Sequence, residues 1–235
     1  FNNASTGAIV LDDLNIDAGK TLTVDASAIT SASNTFTMDA ADDTNGILVV
    51  TGSAGINTIT MSGSDQGDTI TLGGAADVIK VATANLTADD TVAGGAGTDV
   101  IKMTDASTVV DADFTKITSV ESIIQETSSH DMTLTLGTLA FASGIVTVNA
   151  GTGTNALTVE AGYTGALAVT LAAGTDTING SAQTSGSLTV TVDQNSITGD
   201  DTITGGSATS TLKVTGGGTA LAAADVAGIS ALGKI

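Results

Sequence analysis

The chain of 235 residues contains no cysteine and no arginine. Without cysteine it has neither a disulfide framework nor a thiolate metal site. Its six basic residues are all lysine and stand against 25 acidic ones, so the formal net charge is −19. Such a chain cannot neutralise phosphates, which excludes nucleic acid as a main partner. The excess of carboxylates favours bound cations, and carboxylate oxygens favour Ca²⁺.

Aromatic residues are also scarce, at 2% of the chain, whereas hydrophobic residues reach 41%. A core must therefore be built from Val, Ile, Leu and Ala side chains and Thr methyl groups, which suits thin, regular layers. No stretch approaches the roughly 18 consecutive apolar residues of a transmembrane helix. The abundance of apolar β-branched residues argues against disorder, despite the high net charge.

Apolar residues alternate with Thr, Lys and other polar residues along nearly the whole chain. Examples are residues 58–61, 69–72, 78–81, 100–103 and 188–192. Alternation with period two predicts β-strands that bury the apolar side chains and expose Thr or Lys.

These strands recur at intervals of 9 to 12 residues, for example from Ile59 to Ile70 and from Ile70 to Ile79. Such recurrence is typical of stacked rungs, although an antiparallel sandwich spaces its strands similarly. The turns between the strands are rich in glycine and aspartate, which favours the first interpretation. We predict an all-β fold, a right-handed parallel β-solenoid of the β-roll or β-helix type with Gly/Asp-rich turns, whose hand follows from strand twist. The sequence leaves the number of sides in each rung open.

One turn carries a specific motif: residues 94–102 match the nonapeptide G-G-x-G-x-D-x-U-x at every fixed position. Looser copies occupy residues 63–71 and 73–80, and residues 52–60 have Asn57 in place of the aspartate. Glycines expose carbonyl oxygens and the aspartate supplies a carboxylate, so stacked turns would surround a hard cation with oxygen ligands. The plainer interpretation is that these residues are only turn formers. The candidate Ca²⁺ site residues are Gly63, Asp65, Gly67, Asp68, Gly73, Gly74, Asp77, Gly94, Gly95, Gly97 and Asp99.

Turns later in the chain carry a weaker signal. Residues 153–155 and 207–210 lack carboxylates at the equivalent positions, which predicts ordinary turns there. Asp200 and Asp201, just before Ile203, are an intermediate case.

The motif and the segment after it resemble a known family. Residues 52–102 resemble the RTX (repeats-in-toxin) nonapeptide arrays, and residues 111–123 are similar to the segment that follows such repeats in large secreted bacterial surface proteins, including surface-layer proteins of the Caulobacter type. The resemblance implies β-roll turns that bind Ca²⁺ and a location outside the cell, at the bacterial surface. The same family includes proteases, lipases, epimerases and toxins, so resemblance alone leaves the function open.

The sequence divides into three predicted regions. Residues 1–51 form an N-terminal β segment that is a candidate continuation of the solenoid, residues 52–126 an RTX-like β-roll with its trailing segment, and residues 127–235 a β-solenoid rich in Thr, Gly and Ala.

Three functions compete for such a chain. The expectation is a secreted bacterial structural protein, not an enzyme, that assembles with copies of itself into a surface layer or filament, with cell-surface polysaccharide as a further candidate partner. The alternative is an adhesin or binding module of a giant secreted RTX protein. An enzyme built on a β-helix would need clustered acid and base groups, and the chain offers one His, one Tyr and no Arg.

Overall fold

A computed structural model describes residues 7–64, 66–127, 129–206, 209–217 and 220–233. Within these ranges nearly all regular structure is β-strand, and every strand pairing with a defined register is parallel. The chain forms two compact units. The first comprises the residues up to Thr104 together with Ala112–Ser122, and the second comprises Asp105–Asp111 and the residues from Ile123 onward.

The first unit contains strands of two parallel sheets, and the chain passes from one to the other after each of its first eight strands. One sheet contains β1 (Gly7–Asp12), β3 (Thr35–Asp42), β5 (Ile56–Thr60), β7 (Val78–Val81) and β9 (Val100–Met103). The other contains β2 (Thr21–Asp25), β4 (Ile47–Thr51), β6 (Thr69–Thr71), β8 (Thr91–Ala93) and β11 (Ile117–Thr118). Because successive strands fall on alternate sheets, one rung consists of two strands.

The second unit repeats this arrangement. One sheet contains β12 (Ser122–Gln125, of which residues 123–125 belong to this unit), β14 (Thr147–Asn149), β16 (Ala166–Leu171), β18 (Ser187–Asp193) and β20 (Thr209–Thr215). The other contains β10 (Ser107–Val109), β13 (Met132–Leu136), β15 (Asn155–Val159), β17 (Asp176–Asn179), β19 (Thr202–Thr204) and β21 (Ile229–Ser230). Both units are therefore parallel β-solenoids, as the sequence predicted.

The core of each unit is a set of ladders of identical or similar aliphatic residues in register. Ile59, Ile79 and Ile101 pair across β5, β7 and β9, and all three are buried. Other ladders include Val50–Ile70–Val92, Leu134–Leu157–Ile178–Ile203 and Val148–Val169–Val190–Leu212. Stacking of like residues removes apolar surface from water at every rung, and burial of each such side chain stabilises the fold by about 1.5–3 kcal/mol.

One short helix interrupts the second unit, α1 (Thr138–Ser143), and 3₁₀ turns occur at Thr83–Asn85 and Asp111–Phe114. The carboxylate of Asp111 accepts the backbone N–H groups of Gly137, Leu139 and Ala140 at 2.7–3.1 Å, and so caps α1 at its N-terminus. Among the described residues no helix is long and apolar enough to cross a bilayer.

Candidate functional site

Buried aspartates and asparagines form columns at the starts of the strands. In the first unit Asn57, Asp77 and Asp99 lie at or just before β5, β7 and β9, and each is fully buried. A second column in this unit contains Asp68 and Asp90, which precede β6 and β8. In the second unit the column is Asn155, Asp176 and Asp201, at or just before β15, β17 and β19.

Each carboxylate in a column joins its rung to the neighbouring one. Asp77 Oδ1 accepts the backbone N–H of Asn57 at 2.7 Å, and Asp99 Oδ1 accepts that of Asp77 at 2.7 Å. Glu121 Oε2 continues the same column by accepting the N–H of Asp99 at 2.7 Å. The other two columns use the same bond, from Asp68 N to Asp90 Oδ1 and from Asp176 N to Asp201 Oδ1, each 2.8 Å long. Hydrogen bonds to an ionised acceptor are stronger than neutral ones, so these columns lock the rungs together.

Three of these aspartates have protein donors on both carboxylate oxygens. Asp68 Oδ2 accepts the N–H and hydroxyl of Ser62, both at 2.9 Å. Asp90 Oδ2 accepts the N–H and hydroxyl of Thr87, and Asp201 Oδ2 those of Thr198. A Ser or Thr in the same turn therefore completes the hydrogen bonding of each of these carboxylates.

Asp77 and Asp99 differ, because their Oδ2 atoms are buried and accept no hydrogen bond of normal geometry. The carboxylate of Asp77 has the backbone N–H of Gly73 close by in its own turn. The turns before them stack closely: Ala96 N–H donates to the Gly73 carbonyl at 3.0 Å. A side chain at Gly95 would place its Cβ 2.0 Å from that same carbonyl oxygen. A buried carboxylate oxygen without a donor is costly, so these atoms require a proton, a water molecule or a cation.

Burial also changes the acidity of the columns. Loss of solvation raises the pKa of Asp68, Asp77, Asp90 and Asp99 above the ordinary aspartate value. The same cause raises the pKa of Asp176 to about 6. Each of these side chains is therefore harder to ionise than a solvated aspartate, and any neutralising partner would relieve that cost.

The structure separates the predicted site residues into two groups. Gly73, Gly74 and Asp77 stack on the turn that contains Gly94, Gly95, Gly97 and Asp99. Gly63, Gly67 and Asp68 belong instead to the turn before β6, on the other sheet. Asp65 lies outside the described residues.

Six residues of the columns were not among the predicted site residues, namely Asn57, Asp90, Glu121, Asn155, Asp176 and Asp201. Glu121 and Asp90 lie 22 residues after Asp99 and Asp68, in segments without the nonapeptide glycines. Asp176 did carry a signal, because Gly174-Thr175-Asp176-Thr177-Ile178 repeats the second half of the nonapeptide.

Each column offers a metal ion only a few oxygen ligands from side chains. No group of three or more His or acidic side chains converges on one point in the described part of the chain. At Asp77 and Asp99 the donors would be two carboxylates and the backbone carbonyls of the stacked turns, an all-oxygen set that suits Ca²⁺. The two donorless Oδ2 atoms fit that cation. Asp68 fits it less well, because protein donors already occupy both of its oxygens.

Comparison of the chain with protein-family models, with curated proteins and with solved structures found no match. The function therefore has to be argued from the chain's own geometry.

Proposed function

We propose that the protein is a secreted bacterial structural protein, a Ca²⁺-stabilised β-solenoid that assembles with copies of itself into a surface layer or extracellular filament. The observation that carries this proposal is the pair of buried, donorless Oδ2 atoms of Asp77 and Asp99 between stacked glycine-rich turns. We place the cation there. The RTX-like motif at residues 94–102 supports the same location.

Calcium would act on this chain in two ways. It would neutralise carboxylates whose burial disfavours their charge, and it would reduce the self-repulsion of a chain with a net charge of −19. A ligand that binds only the folded state stabilises that state by RT ln(1 + [Ca²⁺]/Kd). Because extracellular modules bind Ca²⁺ with Kd values of about 10⁻⁴–10⁻³ M, such a chain would gain most of its rigidity outside the cell.

The second unit provides a surface for assembly, the outer face of β13, β15, β17 and β19. Its outward residues pair in register and none is charged, although the chain as a whole is strongly acidic. We call it the threonine face, and its residues are Thr133, Thr135, Ala156, Thr158, Thr177, Asn179, Thr202 and Thr204. A flat neutral sheet lets copies approach without charge repulsion, and stacked sheets pack about 10 Å apart. We propose copies of the same chain as its partner, with surface polysaccharide as a further candidate.

We also propose that the protein is not an enzyme. Its single tyrosine, Tyr163, is buried, and its hydroxyl donates to the Ile145 carbonyl. Burial raises the pKa of Tyr163 to about 12, so this side chain serves packing and not proton transfer near neutral pH.

A calcium titration tests the proposal by thermal melting and light scattering. We expect a chelator to lower the melting temperature and disperse assembled material, and added Ca²⁺ to restore both. Mg²⁺ should restore them poorly, because it dehydrates reluctantly and requires a tight octahedral site. Melting and scattering that do not respond to chelator would contradict the proposal and favour the adhesin alternative.

Two matched variants locate the assembly surface in the same experiment. Thr158→Asp places a charge on the threonine face and should suppress calcium-dependent scattering. Thr189→Asp places the same charge on the outer face of β18, in the other sheet, and should leave the scattering unchanged. Equal effects of both variants would exclude the threonine face as the specific contact.

A further inference from the structure

The side-chain nitrogens of two asparagines are each surrounded by three oxygen atoms, an arrangement that we call a cage. Asn57 Nδ2 donates to the carbonyls of Ser53 and Gly55 at 3.2 and 2.9 Å and lies 3.0 Å from Asp77 Oδ1. Asn155 Nδ2 donates to the carbonyls of Gly151 and Gly153 at 2.9 and 3.0 Å, and to Asp176 Oδ1 at 2.7 Å.

The two cages are built to one plan. Each uses the carbonyls of the residues four and two positions before the asparagine, together with the aspartate one rung further along the column. The two asparagines belong to different units, and Asn155 lies in a turn without a nonapeptide match. The same solution has therefore arisen at two separate places in the chain.

Asp77 and Asp99 stand at the column position that Asn57 occupies one or two rungs away. An aspartate there brings no N–H into the cage and adds a negative charge to it. In the structure the Oδ2 atoms of both aspartates are fully buried and accept no hydrogen bond of normal geometry. Asn155 Oδ1 is also buried without a donor, so what distinguishes the asparagine turns is the nitrogen in the cage. In the asparagine turns an amide N–H group donates to the cage oxygens. In the aspartate turns the side chain offers these oxygens no donor.

We infer that the side-chain N–H groups of Asn57 and Asn155 satisfy in their turns the oxygens that Ca²⁺ bridges in the turns of Asp77 and Asp99, so that the asparagine turns hold their shape without metal. This inference rests on the proposed function, since it takes Ca²⁺ to be bound at the aspartate turns. Charge explains the difference between the two residues. A neutral amide donor is sufficient beside one carboxylate and two carbonyls, whereas an aspartate at the same position adds a second carboxylate, which requires a cation. An aspartate places a carboxylate oxygen where the amide nitrogen is, so the ion would lie between that oxygen and the cage oxygens, and the cage has to open to give Ca²⁺–oxygen distances of about 2.3–2.6 Å.

Asn155→Asp tests the inference in the second unit, away from the proposed calcium turns. The variant keeps the size of the side chain but removes the amide donor, which should create a new cation site beside Asp176. We expect one more Ca²⁺ per chain than wild type by isothermal titration calorimetry. In chelator its melting temperature should fall by several degrees, and saturating Ca²⁺ should restore it.

Asn179→Asp is the matched control, because it makes the same charge change at an exposed position of β17. Asn179 Oδ1 accepts hydrogen bonds from Ser181, and an aspartate would keep that acceptor. Asn179 lies on the threonine face, so this control is read by calcium stoichiometry and melting temperature and not by scattering, and we expect both to match wild type. An extra ion bound equally by both variants would overturn the inference, since charge alone would then explain it.

The reverse exchange, Asp99→Asn, provides a second test if Asn155→Asp fails to fold in Ca²⁺. It should bind one Ca²⁺ fewer than wild type and melt at a temperature that depends less on chelator. Retention of the full calcium stoichiometry would overturn the inference.

The outcomes separate this inference from the proposed function. If wild type binds Ca²⁺ but Asn155→Asp gains no ion, the amide exchange is wrong while the calcium proposal stands. If wild type binds none and Asn155→Asp binds one, the calcium proposal fails and the inference fails with it, because no ion is then bound in the turns of Asp77 and Asp99. If neither binds Ca²⁺, both are overturned.

Discussion

The two oxygens of each aspartate carboxylate have different roles in these columns. One oxygen accepts the N–H of the neighbouring rung, as Asp99 Oδ1 does for Asp77. The second oxygen decides what else the residue does: in Asp201 it accepts from Thr198, whereas in Asp99 it has no donor. Two aspartates at equivalent places before a strand can therefore have different chemistry, depending on whether the turn supplies a hydroxyl and an N–H.

Alanine substitution separates these two kinds of aspartate. Asp99→Ala should weaken Ca²⁺ binding, because it removes a proposed ligand. Asp201→Ala should leave Ca²⁺ affinity unchanged but lower the free energy of unfolding by about 1–3 kcal/mol, since the N–H groups of Asp176 and Thr198 lose their acceptor. Calorimetric titration and chemical denaturation of both variants measure the two effects. An equal loss of calcium affinity in the two variants would contradict the assignment of the site.

At the scale of the element, the glycine-rich turns are not uniform. Gly95 and Gly97 have φ values of +101° and +137°, in the region that favours glycine. A Cβ at Gly95 would lie 2.0 Å from the Gly73 carbonyl oxygen, so this turn stacks backbone against backbone. Gly74 belongs to the same motif, but a Cβ there would meet nothing within 4 Å. Only some of the glycines in the motif are required by the packing of the rungs.

Replacement of two of these glycines by alanine tests the difference. Gly95→Ala should lower the free energy of unfolding by about 1–3 kcal/mol or more, because it adds a strained φ to a contact that cannot be accommodated. Gly74→Ala, the matched control, should be neutral or raise stability slightly by restricting the unfolded chain. Urea denaturation at saturating Ca²⁺ provides the measurement. Similar destabilisation by both variants would show that stacking of the turns is not the reason for Gly95.

At the scale of the whole molecule, the dominant feature is uncompensated negative charge. The six lysines offset few of the 25 carboxylates, and several carboxylates are buried in columns with raised pKa values. Both protons and calcium ions would relieve this charge. The protein should consequently respond to acid in the opposite sense to proteins whose native carboxylates are stabilised by ion pairs.

The pH dependence of stability can be derived for Asp176. Its pKa of about 6 in the folded state lies above the reference value of 3.8, because burial disfavours the charged form. The ionised side chain therefore destabilises the fold at pH values above about 6, and the penalty decreases as pH falls and is gone below the reference pKa of 3.8. In chelator, we expect the free energy of unfolding to rise as pH falls from 7 to about 5.

Asp176→Asn isolates this contribution, since an amide of the same size does not titrate. The variant should be more stable than wild type at pH 7 and lose that advantage near pH 4.5. Asp25→Asn is the control: Asp25 is exposed, and its hydrogen bonds with Ser27 lower its pKa. If the two variants show the same pH profile in urea denaturation, burial of Asp176 is not the source of the effect.

Much of this architecture follows from local pattern. Period two determines which side chains enter the core, and Ile59, Ile70, Ile79 and Ile101 are all buried as predicted. Helix α1 was not predicted, because six residues carry little periodicity and its N-terminus is capped by Asp111, which is distant in sequence. The roles of Asn57 and Asn155 were equally hidden, since an amide in a cage depends on an aspartate 20 or 21 residues away.

The sequence by itself determined the strands, their inward faces and the parallel stacking of a solenoid. These features depend on period-two alternation and on the regular recurrence of strands separated by short turns rich in glycine and aspartate. Only the tertiary structure decided which aspartates share a column. Asp68 and Asp77 are nine residues apart and belong to consecutive copies of the motif, yet they precede strands of different sheets. The column neighbour of Asp77 is instead Asp99, 22 residues later. The physical reason is that a rung contains two strands. Successive strands therefore fall on alternate sheets, and turn lengths set the register at which carboxylates meet.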